Sequence, residues 1–167
     1  MRAKSFAGMR CSVAGALEMI GDRWTLLLLR DLGLGLSRYD EFQASTGIPN
    51  TTLSMRLKGL EQNGIVERTR YQERPPRDAY RLTEKGRDLW TVITALREWG
   101  DRWDASGYGA PTIEVVDRDS GRELRLALVD PQTGQAVAQD RVKYRPGPGA
   151  DGEVNALLER RAAEGAS

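Results

Sequence analysis

The chain contains no histidine and only one cysteine, Cys11. Without imidazole there is no Ser-His-Asp or Cys-His nucleophile and no histidine-bound metal. A single cysteine excludes an intramolecular disulfide, which fits a reducing, cytoplasmic setting. No run approaches the roughly 18 consecutive apolar residues of a membrane span. The basic start (Arg2, Lys4, Arg10) is not followed by the apolar core of a signal peptide, because Glu18 and Asp22 interrupt it. No such core precedes Cys11 either, so both secretion and lipidation are rejected. Net charge is only +1, so a nucleic-acid surface must be a local patch. Lysine is scarce, 4 of 25 basic residues. An arginine bias of that kind follows from GC-rich codons and is weak evidence for phosphate binding. There is no phosphate-binding glycine loop, nucleophile–base set or metal cluster. The expectation is therefore no enzyme, no cofactor and no membrane partner.

The 167 residues suffice for one ordinary domain plus an appendage, and a 40% hydrophobic fraction supplies one core. Residues 12–20 read as a short helix with Ser12 as N-cap and Gly21 as stop. Residues 24–32 (WTLLLLRDL) are apolar nearly all round and read as a buried helix ended by Gly33 and Gly35. Ser37, with Asp40 three residues on, resembles a capping-box start for a helix over 38–46. Gly47 supplies a turn, Ile48 a buried plug, and Asn50 an N-cap for a helix over 51–62 that ends at Asn63-Gly64. Strands over 65–70 and 79–82, with a tip at Arg74-Pro-Pro-Arg77, form a hairpin. Thr83 caps a long helix to about Trp103, and Gly107, Gly109 and Pro111 mark a boundary. The fold class is α+β, with domains at 1–106, a β-rich tail at 107–150, and a short helix or disordered terminus at 151–167.

Helix, tight turn, helix, hairpin is the order of a winged helix-turn-helix. In the second helix Leu53, Leu57 and Leu60 form one apolar stripe. The opposite face carries Thr51, Met55, Lys58 and Gln62, with Thr52 and Gly59 beside them and Arg56 on the flank, within reach of a phosphate or a guanine edge. Such side chains let a helix enter the roughly 12 Å major groove. A polar helix face that only meets water is the plain alternative. The hairpin argues for DNA: Arg68, Arg70, Arg74 and Arg77 cluster there, and Pro75-Pro76 stiffens the tip. Residues 50–81 carry a net charge of +3, concentrated where a phosphate backbone would pass.

The ordered set Cys11-Ser-Val-Ala, Ile20-Gly-Asp-Arg-Trp24-Thr-Leu, Gly47-Ile48, Thr52-Leu-Ser54-x-Arg56-Leu57, Leu60-Glu-x-x-Gly64-Ile-Val-Glu-Arg68, Pro75-Pro76-Arg77-x-x-Tyr80-x-Leu-Thr83-Glu-Lys-Gly86 and Trp99-Gly100 resembles the HxlR-type, MarR-like winged-helix transcription regulators over about residues 9–104. The resemblance implies a homodimer on double-stranded DNA, a recognition helix at 50–62 and a wing at 65–82. It also implies that Arg38 and Tyr39 lie near the DNA backbone. The expected DNA-binding set is Arg38, Tyr39, Asn50, Thr51, Thr52, Ser54, Met55, Arg56, Lys58, Arg70, Arg74 and Arg77. The sign of regulation does not follow, since the family contains activators and repressors. A winged helix serving only as a protein-interaction module is the rival reading.

Leu89, Val92, Ile93, Leu96, Trp99 and Trp103 recur at helical spacing and serve either as core or as a two-fold interface. The expected interface is Val13, Leu17, Leu89, Ile93, Leu96, Trp99 and Trp103. A small hydrophobic effector would sit among Trp24, Leu28, Trp99 and Trp103, unless these simply pack. Some relatives of this type use a cysteine at the position of Cys11 to sense oxidants or electrophiles. Arg10 and the following helix start favour a thiolate there, and the alternative is a small packed residue. In the tail, Asp117-x-x-Ser120-Gly121 recurs as Asp130-x-x-Thr133-Gly134. The pattern looks like two zinc-ribbon knuckles with every cysteine replaced, and equally like two hairpin turns that need Asp and Gly. No structural zinc is expected. If a ribbon survives, Leu124, Leu126, Leu128, Val129 and Val137 have to hold it by apolar packing.

Overall fold

The computed structural model describes residues 5–164. The chain divides into two units, one holding Val13–Leu126 and the other holding Gly8–Ser12 with the residues from Ala127 on.

Helix α1 (Ser12–Ile20), which enters the first unit at Val13, starts at Ser12 itself. It ends at Gly21, where an added side chain would overlap the carbonyl of Leu17. Asp22 caps α2 (Arg23–Gly33), its Oδ1 accepting from the backbone N–H groups of Trp24 (3.0 Å) and Thr25 (3.3 Å). The α2 helix is central: Leu28, Leu29 and Leu32 are buried in a core with Phe42, Ile48, Leu53, Leu57, Leu60, Ile65 and Val66. Arg30 ties it to the next helix, reaching both the buried Asp31 carboxylate (2.6 Å) and the Ser45 hydroxyl (3.2 Å).

Helix α3 (Tyr39–Thr46) is capped differently from the expectation. Arg38, not Ser37, is the N-cap residue, and Glu41 rather than Asp40 reaches back. Glu41 Oε2 accepts from the N–H groups of Ser37 and Arg38, both at 2.9 Å. A carboxylate three residues into the helix has the reach for this, whereas Asp40 is too short and too early. Gly47 turns the chain at φ 68°, and Ile48 plugs the core at 1% exposure. Helix α4 (Asn50–Gln62) begins at Asn50 with Pro49 as its cap, so Asn50 lies inside the first turn instead of capping it.

The wing is longer than the sequence suggests. β1 (Val66–Glu73) pairs antiparallel with β2 (Pro76–Leu82), Val66 opposite Leu82 and Arg70 opposite Asp78. A register shift lies between Arg70 and Gln72. The segment before α3 joins the other edge of β2, with Arg38 bridging to Ala79 and Tyr80 N–H donating to Ser37 O at 2.7 Å.

Thr83 caps as expected, its Oγ1 accepting from Gly86 N–H at 3.1 Å. The long helix, however, is two helices, α5 (Glu84–Asp88) and α6 (Trp90–Arg102). At Leu89 the N–H bonds to the carbonyl of Gly86, three residues back, a tightened turn that interrupts the α-ladder. Gly86 is buried against the Ile65 carbonyl, with no room for a Cβ. The short α5 is therefore pressed on the base of the wing, and α6 begins after the break at Leu89. Residues 112–126 stay with this unit: Arg97 Nη1 donates to Ile113 O (3.2 Å), and Leu126 N–H donates to Glu98 Oε1 (2.9 Å).

The tail repeat is a repeat of backbone geometry. Gly121 N–H bonds to Asp117 O and Gly134 N–H to Asp130 O, both at 2.8 Å. The two glycines have φ 67° and 69°. Each turn closes one isolated bridge, Val116 with Glu123 and Val129 with Ala136. Asp117 Oδ1 accepts from the N–H and hydroxyl of Ser120. Leu124, Leu128 and Val129 are exposed, whereas Leu126 and Val137 are half-buried. Turn hydrogen bonding therefore organises these segments more than the apolar packing expected of them. In the second unit, helix α7 (Gly152–Glu164) follows Asp151, which caps it and pairs with Arg10 at 3.4 Å. Residues 165–167 of the expected terminal segment lie outside the described residues.

Candidate nucleic-acid interface

Buried Leu53, Leu57 and Leu60 fix the rotation of α4. That rotation sends Asn50, Thr51, Ser54, Met55 and Lys58 to the outer surface, where they line one shallow concavity. Thr52 is half-buried at its margin. Met55 is 60% exposed, an apolar side chain kept in water on an otherwise polar face.

Tyr39 clamps the start of this helix. Its hydroxyl donates to Asn50 O at 2.7 Å and lies 3.0 Å from Ser54 Oγ. It therefore holds α3 to α4 in addition to lying beside the exposed face. Arg38 is occupied by Glu41, with Nε at 2.9 Å and Nη2 at 2.7 Å from Oε1. Arg56 turns away from the outer face and pairs with Asp22: Nη2 donates to Oδ2 at 2.9 Å. Two arginines assigned to DNA by sequence are thus held by carboxylates of their own chain.

The Glu41 carboxyl is held well below its usual range, at about 2. The causes, largest first, are hydrogen bonds from the Ser37 and Arg38 backbone N–H groups and then from the Arg38 side chain. Arg38 is raised in turn by its hydrogen bond to Glu41.

On the wing, the strand register separates bound from free cations. Arg70 lies opposite Asp78 and donates to it at 3.2 Å. Arg68 sits between Glu61 (3.6 Å) and Asp78 (3.7 Å). Arg74 and Arg77, at the tip, are exposed and form no ion pair among the described residues. Gln72 Nε2 donates to Arg74 O at 3.1 Å and steadies the tip. Exposed Tyr71 stands beside the register shift, a wing residue that sequence reasoning missed because nothing in its spacing marks it.

The residues expected at a dimer interface divide. Leu89 and Ile93 pack against the core of their own chain. Val13, Leu17, Leu96, Trp99 and Trp103 are exposed, the two tryptophans at 62% and 65%. The expected effector residues do not gather: Leu28 is fully buried, Trp24 packs on the core, and Trp99 and Trp103 face outward. An apolar cleft of about 1020 Å³ opens elsewhere, between α2, β2 and α6, lined among others by Leu26, Leu36, Leu82, Trp90, Ile93 and Ile113. Cys11 is exposed.

A helix-turn-helix with its second helix exposed on one polar face, beside a hairpin tipped with exposed arginines, defines a winged-helix transcription regulator. The sequence matches the family model for HxlR-like helix-turn-helix proteins over residues 19–108. The chain belongs to that family. It is 39% identical over 138 residues to the uncharacterised HTH-type transcriptional regulator Rv3095 of Mycobacterium tuberculosis, covering 83% of this chain and 87% of that one. It is 35% identical over 97 residues to the uncharacterised regulator sll1512 of Synechocystis, covering 58% and 72%. Among solved structures, it is similar to PA1607, named as a candidate transcription factor, with a TM-score of 0.72 at 33% identity over 86% of this chain and all of that one. Similarity to the redox regulator HypR in its oxidised form has a TM-score of 0.52 at 35% identity, covering 55% of this chain and 96% of that one. The likeness to PA1607 therefore runs beyond the winged helix into the tail, while that to HypR spans about half of the chain. No described helix is long and apolar enough to cross a membrane.

Proposed function

We propose that the protein is a sequence-specific regulator that binds an inverted-repeat operator as a homodimer. The observation that carries this reading is a pair of exposed surfaces on the helix and the hairpin that packs against it. One is the polar outer face of α4, and the other is the pair Arg74 and Arg77 at the wing tip, which have no ion pair among the described residues. In the proposed complex Asn50, Thr51, Thr52, Ser54, Met55 and Lys58 face base edges, and Arg74 and Arg77 take phosphates. Arg38, Tyr39 and Arg70 lie along the backbone path, already oriented by their own partners.

Homodimerisation is supported by the apolar faces that the single chain leaves in water, Val13 and Leu17 on α1 and Leu96, Trp99 and Trp103 on and just after α6. A two-fold axis through them sets two recognition helices about one DNA turn apart, roughly 34 Å, or a multiple of it. Control enters through Cys11, exposed just before α1, or through a small hydrophobic molecule in the cleft between α2 and α6. A lone thiol can pair between chains, take up a small thiol or be alkylated.

The test is selection of duplexes from a random library by the purified protein, followed by footprinting. Recovery of an inverted repeat with half-sites spaced by a whole number of turns is the expected outcome. Recovery of no shared sequence would leave only the protein-interaction role of a winged helix.

A further inference from the structure

Asp22 serves two elements at once. Its Oδ1 caps α2 through Trp24 and Thr25. Its Oδ2 accepts from Arg56 Nη2 at 2.9 Å, across 34 residues of sequence. Arg56 Nε lies another 2.9 Å from Oδ1, close enough for charge contact but off hydrogen-bond alignment. The side chains are 35% and 31% exposed, so water screens the pair less than it would a free surface pair. Asp22 is itself set by the corner that precedes it, because Gly21 stacks on the Leu17 carbonyl with no space for a side chain. The recognition helix is thereby pinned at its middle to the α1–α2 corner, in addition to its apolar stripe.

We infer that Arg56 is a positioning residue and not a DNA ligand, and that the Asp22–Arg56 pair seats α4 for base readout. This rests on the DNA-binding reading above. Base-edge hydrogen bonds tolerate displacements of only a few tenths of an ångström. Arginines on a wing tip follow a phosphate with their own flexibility. Loosening the pair therefore lowers specific binding while leaving non-specific binding in place.

The opposite assignment, Arg56 as a DNA ligand that Asp22 holds back, predicts the opposite sign, which makes Asp22→Asn decisive. Asparagine still caps a helix, so α2 survives while the charge on Arg56 loses its partner. The measurement uses the full chain, with a duplex selected by wild type and a scrambled duplex of the same composition. For Asp22→Asn the expected result is a fall in the selected-to-scrambled affinity ratio of roughly 3- to 30-fold. For Arg56→Gln a similar fall is expected, with the salt slope unchanged. The double variant should be no worse than either single one, because both remove one interaction. Circular dichroism keeps unfolding apart from mispositioning. Tighter binding by Asp22→Asn, or a salt slope reduced by about 1 in Arg56→Gln, would overturn the proposal. Wild type that selects no duplex fails the DNA reading itself, and the inference with it.

Discussion

Glu41 and Asp22 do their work through atoms that a sequence does not display. Both lie at helix starts, where an acidic side chain is expected to cap. The choice between Asp40 and Glu41 depends on side-chain reach, which places the longer carboxylate on the Ser37 and Arg38 N–H groups. The contact of Asp22 with Arg56 was invisible because it joins positions 34 residues apart, and a flanking arginine on a recognition helix reads as a DNA ligand. Ile48, by contrast, was legible as a buried plug, since an apolar residue after a turn glycine has few other roles. The Glu41 cap has a pH signature. Its folded value of about 2 lies below the ordinary 4.5, so its contribution is fully present above 4.5 and is lost as pH falls from there through about 2. Glu41→Gln should therefore be less stable than wild type at neutral pH in urea unfolding. The difference should shrink as pH falls below 4.5, and a gap that stays constant down to pH 3 would contradict this account of the cap.

At the scale of elements, the leucine stripe at 53, 57 and 60 was enough to orient α4, and its polar face follows from that orientation. The strands were under-read because Arg, Gln and Glu dominate them; an exposed two-stranded wing has no buried face to impose alternation. The helix break at Leu89 was also hidden. Residues 84–102 contain no proline, and the interruption falls three residues after Gly86, which packs against the Ile65 carbonyl. The apolar spacing of the last helix held two populations that periodicity alone does not separate, Leu89 and Ile93 turned inward and Leu96 and Trp99 outward. If the outward set meets a second copy, Leu17→Glu and Trp99→Glu should each weaken the dimer by about 2 kcal/mol, roughly thirtyfold, with helical content unchanged. Sedimentation equilibrium reads this directly. Wild type that is monomeric at tens of micromolar would instead leave these faces to another partner.

For the whole molecule, the notable feature is how few of the cations on the proposed DNA face are free of an ion pair among the described residues. Net charge is +1, and carboxylates of the same chain hold Arg38, Arg56, Arg68 and Arg70. Lys58, Arg74 and Arg77 are exposed and make no such pair among the described residues. In the proposed complex the fixed arginines shape the interface, and Lys58, Arg74 and Arg77 are the cations left to meet phosphates. Affinity should therefore depend on few charges and specificity on the seating of α4. The tail carries its information in turns: the spacing of Asp and Gly foretold the two matching backbone loops, while the sequence could not tell which part of the tail joins the first unit. The most direct test of the account is fluorescence anisotropy on a selected duplex across a salt series, comparing wild type with the Arg74→Ala/Arg77→Ala variant. Each phosphate contact contributes about 0.9 to the slope of log affinity against log salt. The account predicts that the variant binds more weakly and that its slope is smaller by about 2. Identical slopes and affinities in the two proteins would contradict the claim that this wing grips the DNA backbone.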